Sequence, residues 1–287
     1  MLKLAQSPDG KRHWLWHRAG QCPQILDGIG ANNLADAARW LQALDGTSSQ
    51  TITLQTHLDA VQAQPCEEAV DWPELLPGRP GKALALGRNF AAHAKEMGAA
   101  PSAEMVWFCK LPDILVGHQH DFEVPKWLPG RVDPEAELVL LLAAPLRNAG
   151  LEEAQAAIAG YALGNDLTAR GVQSEDKKKS WPWLRSKNLA TFGSIGPGWL
   201  PASALADFDT FTLQGLVNGE VRQQASLADM LWPPAQALVE LSRWLPLYPG
   251  DVVFLGTPAG VGAVEPGDVL EVRLDEELQL RNKVVQV

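Results

Sequence analysis

The sequence has little of what marks several classes of protein. Its 287 residues include three cysteines, Cys22, Cys66 and Cys109, without the paired spacing of a disulfide framework or a zinc knuckle. Basic residues number 24 against 34 acids, and this net charge of −10 argues against a nucleic-acid partner, since phosphate binding needs a basic surface. No stretch approaches the ~20 apolar residues of a membrane span, and the N-terminus lacks a signal-peptide core. We therefore expect a cytoplasmic protein that binds neither membrane nor nucleic acid.

Apolar residues, in contrast, are plentiful at 46%, which is ample for a large core. Alternating segments such as 211–217 and 269–274 predict strands, and Asn218-Gly219 predicts a tight hairpin turn. Helical periodicity is confined to a few segments, including 151–158 and 235–245. Many short strands with few helices indicate an all-β or α+β protein.

The chain divides into a small N-terminal domain, residues 1–75, and a larger domain, residues 76–287. In the first, Asn33 is a predicted helix cap, and apolar residues follow it at helical spacing up to Leu44. Residues 14–17 and 51–54 are predicted strands. Residues 72–81 contain three prolines and two glycines, which is typical of a linker.

Three carboxylates from two segments are predicted to converge. Glu135 and Glu137 stand two apart at the start of the apolar strand 138–142, so both face the same side, and Asp166 ends a second short strand. Buried together without partners, they would be forced to protonate. A hard divalent cation would prevent this, and the all-oxygen set favours Mg²⁺ or Mn²⁺ over Zn²⁺. The same patterns are also typical of a solvated strand face and of a turn or helix cap.

His93 and Glu96 form a second candidate group. They stand three apart on a predicted helix and share one face, where the carboxylate can orient the imidazole as a general base. An exposed pair on a surface helix has the same spacing, so the residues alone leave both interpretations open.

From Lys82 to the C-terminus, a series of motifs resembles the fumarylacetoacetate hydrolase family. The motifs are LGRNFAAHAKE at 86–96, FCKLP at 108–112, EAEL at 135–138, Gly160-Tyr161 with Asn165-Asp166, Lys187, VNGE at 217–220 and GTPAGVG at 256–262. Each motif is weak by itself. Their ordered occurrence is what carries the resemblance.

The resemblance implies a fold, an assembly and roles for individual side chains. The fold is an α+β, β-rich one, a mixed β-sandwich roll, and the assembly is a homodimer. The implied roles are Glu135, Glu137 and Asp166 as metal ligands, His93 and Glu96 as a catalytic dyad on a mobile lid helix, and Lys110, Arg170, Gln173 and Lys187 in the substrate pocket. Lys187 would stabilise a developing enolate oxygen. The hydroxyl of Thr257, after another buried strand, can donate to a substrate carboxylate.

Three function hypotheses follow. The first is Mg²⁺-dependent hydrolysis of a carbon-carbon bond in acylpyruvates or related 2,4-diketo acids, with His93 activating water. The second keeps the metal site for decarboxylation or isomerisation of a 2-oxo acid, such as oxaloacetate or a product of aromatic ring cleavage. The third is a catalytically silent member that acts as a binding module.

Three residues depart from the family pattern. Gly171 stands where an Asp usually follows the Arg, Asn188 where a Ser usually follows the Lys, and Asp113 where a small residue is common. The missing acid at 171 predicts a different orientation for Arg170. Asp113 predicts a negative charge near Lys110.

Overall fold

The computed structural model describes residues 1–6, 11–16, 24–26, 34–44, 64–65, 79–98 and 104–287. The strand predicted at 51–54 and most of the predicted linker lie outside the described residues. None of the described helices is long and apolar enough to cross a membrane.

Strands outnumber helices among the described elements. The strands are β1 (Leu2–Gln6), β2 (Arg12–Trp16), β3 (Gln24–Leu26), β4 (Gln64–Pro65), β5 (Ala83–Gly87), β6 (Val106–Lys110), β7 (Leu115–Val116), β8 (Asp121–Val124), β9 (Val132–Asp133), β10 (Ala136–Leu142), β11 (Ile158–Asn165), β12 (Thr168–Ala169), β13 (Gly193–Pro201), β14 (Thr212–Val217), β15 (Glu220–Ser226), β16 (Val252–Phe254), β17 (Val269–Leu274) and β18 (Leu278–Gln286). The helices are α1 (Leu34–Leu44), α2 (Ala91–Glu96), α3 (Leu151–Ala156), α4 (Arg170–Lys178), α5 (Leu184–Lys187) and α6 (Pro234–Trp244).

Two sheets contain most of the strands. The larger has the order β4-β3-β2-β1-β13-β11-β10-β16-β5-β6, with β7 beside β13, and the smaller has the order β15-β14-β17-β18-β8. β9 and β12 form a separate pair. The predicted α+β, β-rich fold is confirmed.

Strand β10 lies at the centre of the larger sheet, and its residues alternate between two cores. Leu138, Leu140 and Leu142 pack in the cluster that contains residues of β14, β17 and β18 from the smaller sheet. Val139 and Leu141 face the other way and pack in the cluster that contains residues of α1. The period of two along a strand therefore turns one face of β10 towards the smaller sheet and the other towards α1, and every residue of β10 is buried.

The N-terminal elements continue the larger sheet. β1 pairs antiparallel with β13, with Leu2 opposite Trp199, and Leu34 and Leu41 of α1 are buried against the same core. The predicted helix after Asn33 corresponds to α1, and the strand predicted at 14–17 overlaps β2. The boundary at residue 75 lies outside the described residues, so the division into two domains stays a prediction, as does the homodimer.

Candidate active site

Three predicted metal ligands lie together at one end of the central strands. Glu135 precedes β10, Glu137 lies within it, and Asp166 follows the antiparallel neighbour β11. The strand ends are tied together, since the Asp166 N–H donates to the Glu135 carbonyl at 2.9 Å and the Glu135 N–H donates to the side-chain oxygen of Asn165 at 3.1 Å. All three carboxylates are buried, and one oxygen from each lies within 4.8 Å of the others.

Two lysines and one arginine surround these carboxylates. The Lys187 ammonium donates to Glu135 and to Asp166, both at 2.5 Å. The Lys110 ammonium donates to the other oxygen of Asp166 at 2.5 Å. Arg170 donates through Nη2 to Glu135 at 2.5 Å. The cluster is therefore a buried network of alternating charges.

The network shifts the pKa values of Glu135 and Glu137 in opposite directions. Burial alone would raise the pKa of Glu135, but the charges of Lys187 and Arg170 hold it well below its usual range. Burial raises the pKa of Glu137 well above its usual range, and the negative charges of Asp166 and Glu135 add to that effect. Burial alone would lower the pKa of Lys187, but Asp166 and Glu135 reverse this and raise it.

These residues fit a hard divalent cation. The donor set is entirely oxygen, and Lys187 already bridges two of the carboxylates as a cation. Burial, together with the charges of Asp166 and Glu135, raises the pKa of Glu137 even though Lys187 opposes the effect, so an added cation would favour the ionised carboxylate. Glu135, Glu137 and Asp166 would hold Mg²⁺ or Mn²⁺, the ions that such ligands favour.

Lys110 is buried beside Asp166. Its ammonium has no exposure to solvent, and its three donors are taken by Asp166, by the Lys187 carbonyl at 2.8 Å and by the Phe192 carbonyl at 3.0 Å. Burial lowers its pKa, although Asp166 opposes that effect. These contacts position Asp166, and the substrate-binding role of Lys110 stays a prediction.

Arg170 keeps a carboxylate partner despite Gly171. Its Nε donates to Asp133 at 2.7 Å, and its Nη1 donates to Gln173 at 2.7 Å. Asp133 therefore supplies the acid that position 171 lacks, and a different orientation of Arg170 stays a prediction. Glycine is favoured at position 171 because a Cβ there would lie 2.6 Å from the Pro129 carbonyl oxygen.

The other two departures from the family pattern, Asn188 and Asp113, contact neighbouring residues of the protein. Asn188 accepts from the Leu111 N–H at 2.6 Å and donates to the Cys109 and Leu184 carbonyls at 3.1 and 2.8 Å. Asp113 is exposed and pairs with Arg79 at 2.9 Å. Its charge therefore faces solvent rather than the enclosed ammonium of Lys110, contrary to the prediction.

The predicted dyad lies on α2, above the carboxylates. His93 is buried, and its Nδ1 lies 3.1 Å from Glu96, which leaves Nε2 free for chemistry. Glu96 also accepts from the Gly260 N–H at 3.0 Å. Asn89 anchors the start of the helix by donating to the Leu255 carbonyl at 2.7 Å. Mobility of this helix as a lid stays a prediction.

One pocket collects most of the predicted site residues. It is lined by Leu86, Gly87, Arg88, His93, Met97, Phe108, Glu135, Arg170, Gln173, Lys177, Trp183, Lys187 and Thr257. Its cavity measures only ≈ 20 Å³, about the space of one water molecule. The space between these side chains is therefore narrow.

Several residues of the site were not predicted. Gln223 of β15 donates to the Thr257 hydroxyl at 2.7 Å and so orients it. Asp133, Arg88 and Lys177 were also missed. Arg88 carried a local signal, because it follows Gly87 at the end of a strand, but nothing in the spacing of Gln223 or Asp133 relates them to the site.

Comparisons with known proteins show which family and which structures this chain is similar to. The family model for the C-terminal part of fumarylacetoacetate (FAA) hydrolase matches residues 82–285. Oxaloacetate tautomerase YcgM of Escherichia coli is 39% identical over 207 residues, which cover 71% of this chain and 94% of the relative. A structure of fumarylpyruvate hydrolase from Pseudomonas aeruginosa with Mn²⁺ and pyruvate is similar, with a TM-score of 0.69, 34% identity, and coverage of 75% of this chain and 92% of that one. A structure of 5-carboxymethyl-2-hydroxymuconate delta-isomerase from Mycobacterium smegmatis is also similar, with a TM-score of 0.76 and 27% identity. The match covers 100% of this chain and 98% of the isomerase chain.

Proposed function

Because the chain belongs to the fumarylacetoacetate hydrolase family, we propose that it is a metal-dependent enzyme that interconverts the keto and enol forms of a short 2-oxo acid. The observation that carries this proposal is a buried cluster of three carboxylates, one of which, Glu135, lines the same pocket as the Lys187 ammonium and the His93 imidazole. The similarity to a bacterial oxaloacetate tautomerase supports it.

Glu135, Glu137 and Asp166 hold the metal in this proposal. When bound, a divalent ion supplies a Lewis acid that favours negative charge on a 2-oxo oxygen. The Mn²⁺ in the structure of the Pseudomonas relative supports this assignment.

The chain's own groups move the proton and stabilise the charge. His93, with Nδ1 engaged by Glu96, takes a proton at Nε2 from the carbon beside the 2-oxo group and returns it at the other tautomeric position. Lys187, whose raised pKa keeps it charged, donates to the oxygen on which negative charge develops. Thr257, oriented by Gln223, binds the acid's carboxylate. The narrow pocket keeps bulk water away from these groups.

Hydrolysis of a carbon-carbon bond in an acylpyruvate is the second candidate. The same hydrogen-bonded pair of His93 and Glu96 can activate a water molecule, and the cavity has room for about one. The similarity to fumarylpyruvate hydrolase favours this reaction. Decarboxylation of oxaloacetate would use the same carboxylates and Lys187 without a water.

A panel assay with metal removal tests these reactions. We expect enol oxaloacetate to ketonise faster with enzyme, this acceleration to be lost after dialysis against EDTA, and Mg²⁺ or Mn²⁺ to restore it. Acylpyruvates and keto oxaloacetate in the same panel report hydrolysis and decarboxylation. His93→Ala should lower turnover by about 10²- to 10⁴-fold and leave Mn²⁺ binding by calorimetry unchanged.

Lys95→Ala, on the exposed side of the same helix, is the matched control and should behave as wild type. EDTA-insensitive activity, or turnover near wild type in His93→Ala, would contradict the mechanism. Absence of both metal binding and turnover across the panel would instead favour a silent binding module.

A further inference from the structure

Two cations on the outer wall of the pocket have no role in the proposed proton transfer. Arg88 and Lys177 come from different elements and stand over the same indole ring, that of Trp183. The guanidinium carbon of Arg88 lies 5.8 Å from the ring centroid, and the Lys177 ammonium lies 5.5 Å from it. All three side chains line the pocket that contains His93 and Lys187.

These two cations lack an anionic partner. In the part of the chain that the structure describes, neither makes an ion pair with a carboxylate, whereas Lys178 beside Lys177 pairs with Glu175 at 2.6 Å. Burial by the pocket wall lowers the pKa of Lys177, and the nearby charge of Arg88 lowers it further. The Glu135 carboxylate opposes this lowering, but it is already paired with Arg170 and Lys187. Two like charges held close together with no carboxylate of their own would attract an anion.

The fold holds this pair in place from both sides. Trp183 packs edge-on against Phe108, with ring centroids 5.6 Å apart. A Cβ at Gly87 would lie 2.8 Å from the Trp183 ring, so glycine there permits the packing. On the other side, Asp176 receives two hydrogen bonds of 2.9 Å from Arg185 Nε, which fastens α4 to α5. The pair is therefore part of a built pocket wall.

We propose that Arg88 and Lys177 form a distal subsite that binds the second carboxylate of a 2-oxo dicarboxylic acid. This inference rests on the proposed function, because the metal ligands and Thr257 then take the 2-oxo carboxylate end of the substrate. The guanidinium offers two parallel donors to a carboxylate, and the ammonium adds a point charge. The subsite selects dianions over acids of the same shape that end in a methyl group.

Binding of a matched pair of unreactive ligands tests the subsite apart from turnover. 3,3-Difluorooxaloacetate has no proton to transfer, and 3,3-difluoro-2-oxobutanoate replaces its distal carboxylate with a methyl group. In calorimetry with the Mg²⁺-loaded protein, we expect the dianion to bind at least tenfold more tightly. Arg88→Gln and Lys177→Gln should each reduce that preference roughly tenfold, and the double variant should abolish it while leaving the affinity for the monoanion unchanged.

Lys178→Gln is the matched control, since its side chain lies outside the pocket and should leave the preference intact. Lys177→Arg should retain most of the preference, because it keeps the charge. A merely structural pair would lower the melting temperature and the affinity for both ligands equally, which would overturn the proposal.

The outcomes separate this proposal from the proposed function. Equal binding of both ligands, with keto-enol turnover intact, would remove the subsite and leave the reaction standing. A strong preference for the dianion without turnover of any 2-oxo acid would support the subsite and remove the reaction. Failure of both ligands to bind would overturn both.

Discussion

At the scale of single residues, the carboxylate cluster depends on a fully buried lysine. Lys110 is enclosed beneath Asp166, and its ammonium also satisfies two backbone carbonyls. Removing it would leave a buried carboxylate beside two unpaired carbonyl oxygens. A buried pair of this kind adds little net stability, but breaking it is expensive.

We expect Lys110→Met, which keeps most of the volume, to lower the free energy of unfolding of the metal-free protein by about 3–5 kcal/mol. Urea denaturation in the presence of EDTA measures this. Lys95→Met, an exposed lysine on α2, is the control and should change stability little. A loss below about 1 kcal/mol for Lys110→Met would mean that Lys187, which also donates to Asp166, compensates for the missing ammonium.

Local pattern predicted some of these residues and missed others for a physical reason. The spacing of Glu135 and Glu137 follows from the period of a strand, so their common face could be read from the sequence. The depth of Lys110 could not, because an apolar strand ending in lysine also fits a side chain that reaches solvent. Asp133 was missed because it meets Arg170 only through folding, across a sequence separation of 37 residues.

At the scale of elements, a close approach between a loop and a helix replaces a side chain. The loop that contains Pro129 and Gly130 lies against the first turn of α4, where Gly171 leaves no Cβ. A Cβ at 171 would meet Pro129 O at 2.6 Å and Gly130 Cα at 2.9 Å, and both of these are backbone atoms that cannot turn away. An acid at 171 and this loop position exclude each other.

Gly171→Ala should therefore destabilise the protein by about 1–3 kcal/mol, the usual cost of overpacking. Thermal unfolding followed by circular dichroism measures it. Gly262→Ala is the control, because its nearest contact is a flexible arginine end at 4.0 Å. Equal melting temperatures for the two variants would show that the loop containing Pro129 and Gly130 moves away from the new methyl group at little cost in stability.

Element boundaries were predicted well where periodicity was strong. The helix expected near 235–245 is α6, at Pro234–Trp244. The helix expected over 151–158 ends earlier, at Ala156, because Ile158 begins the fully buried strand β11. The gain from burying Ile158 in the sheet outweighs its contribution to a helix, and the local sequence does not contain that information.

At the scale of the whole molecule, the N-terminal elements and the catalytic sheet share a core. Leu34 and Leu41 of α1 lie in one cluster with Val139 and Leu141 of the central strand. The two parts should therefore unfold together, although the sequence suggests separate domains.

Leu41→Ala should cost about 2–5 kcal/mol through loss of buried surface and the cavity left behind. Calorimetry should show one unfolding transition in both wild type and variant, with the whole transition shifted downward. Arg39→Ala, on the exposed side of α1, is the control and should cost at most about 1 kcal/mol. Two separate transitions, with only one sensitive to Leu41, would contradict a shared core.

The water-sized cavity also has a consequence for timing. If α2 moves as the predicted lid, a molecule as large as oxaloacetate would enter and leave through the same opening motion. The lifetime of a bound acid would then depend on the rate at which α2 opens. Slow release would be compatible with modest contacts, and the rate of that opening would limit every turnover.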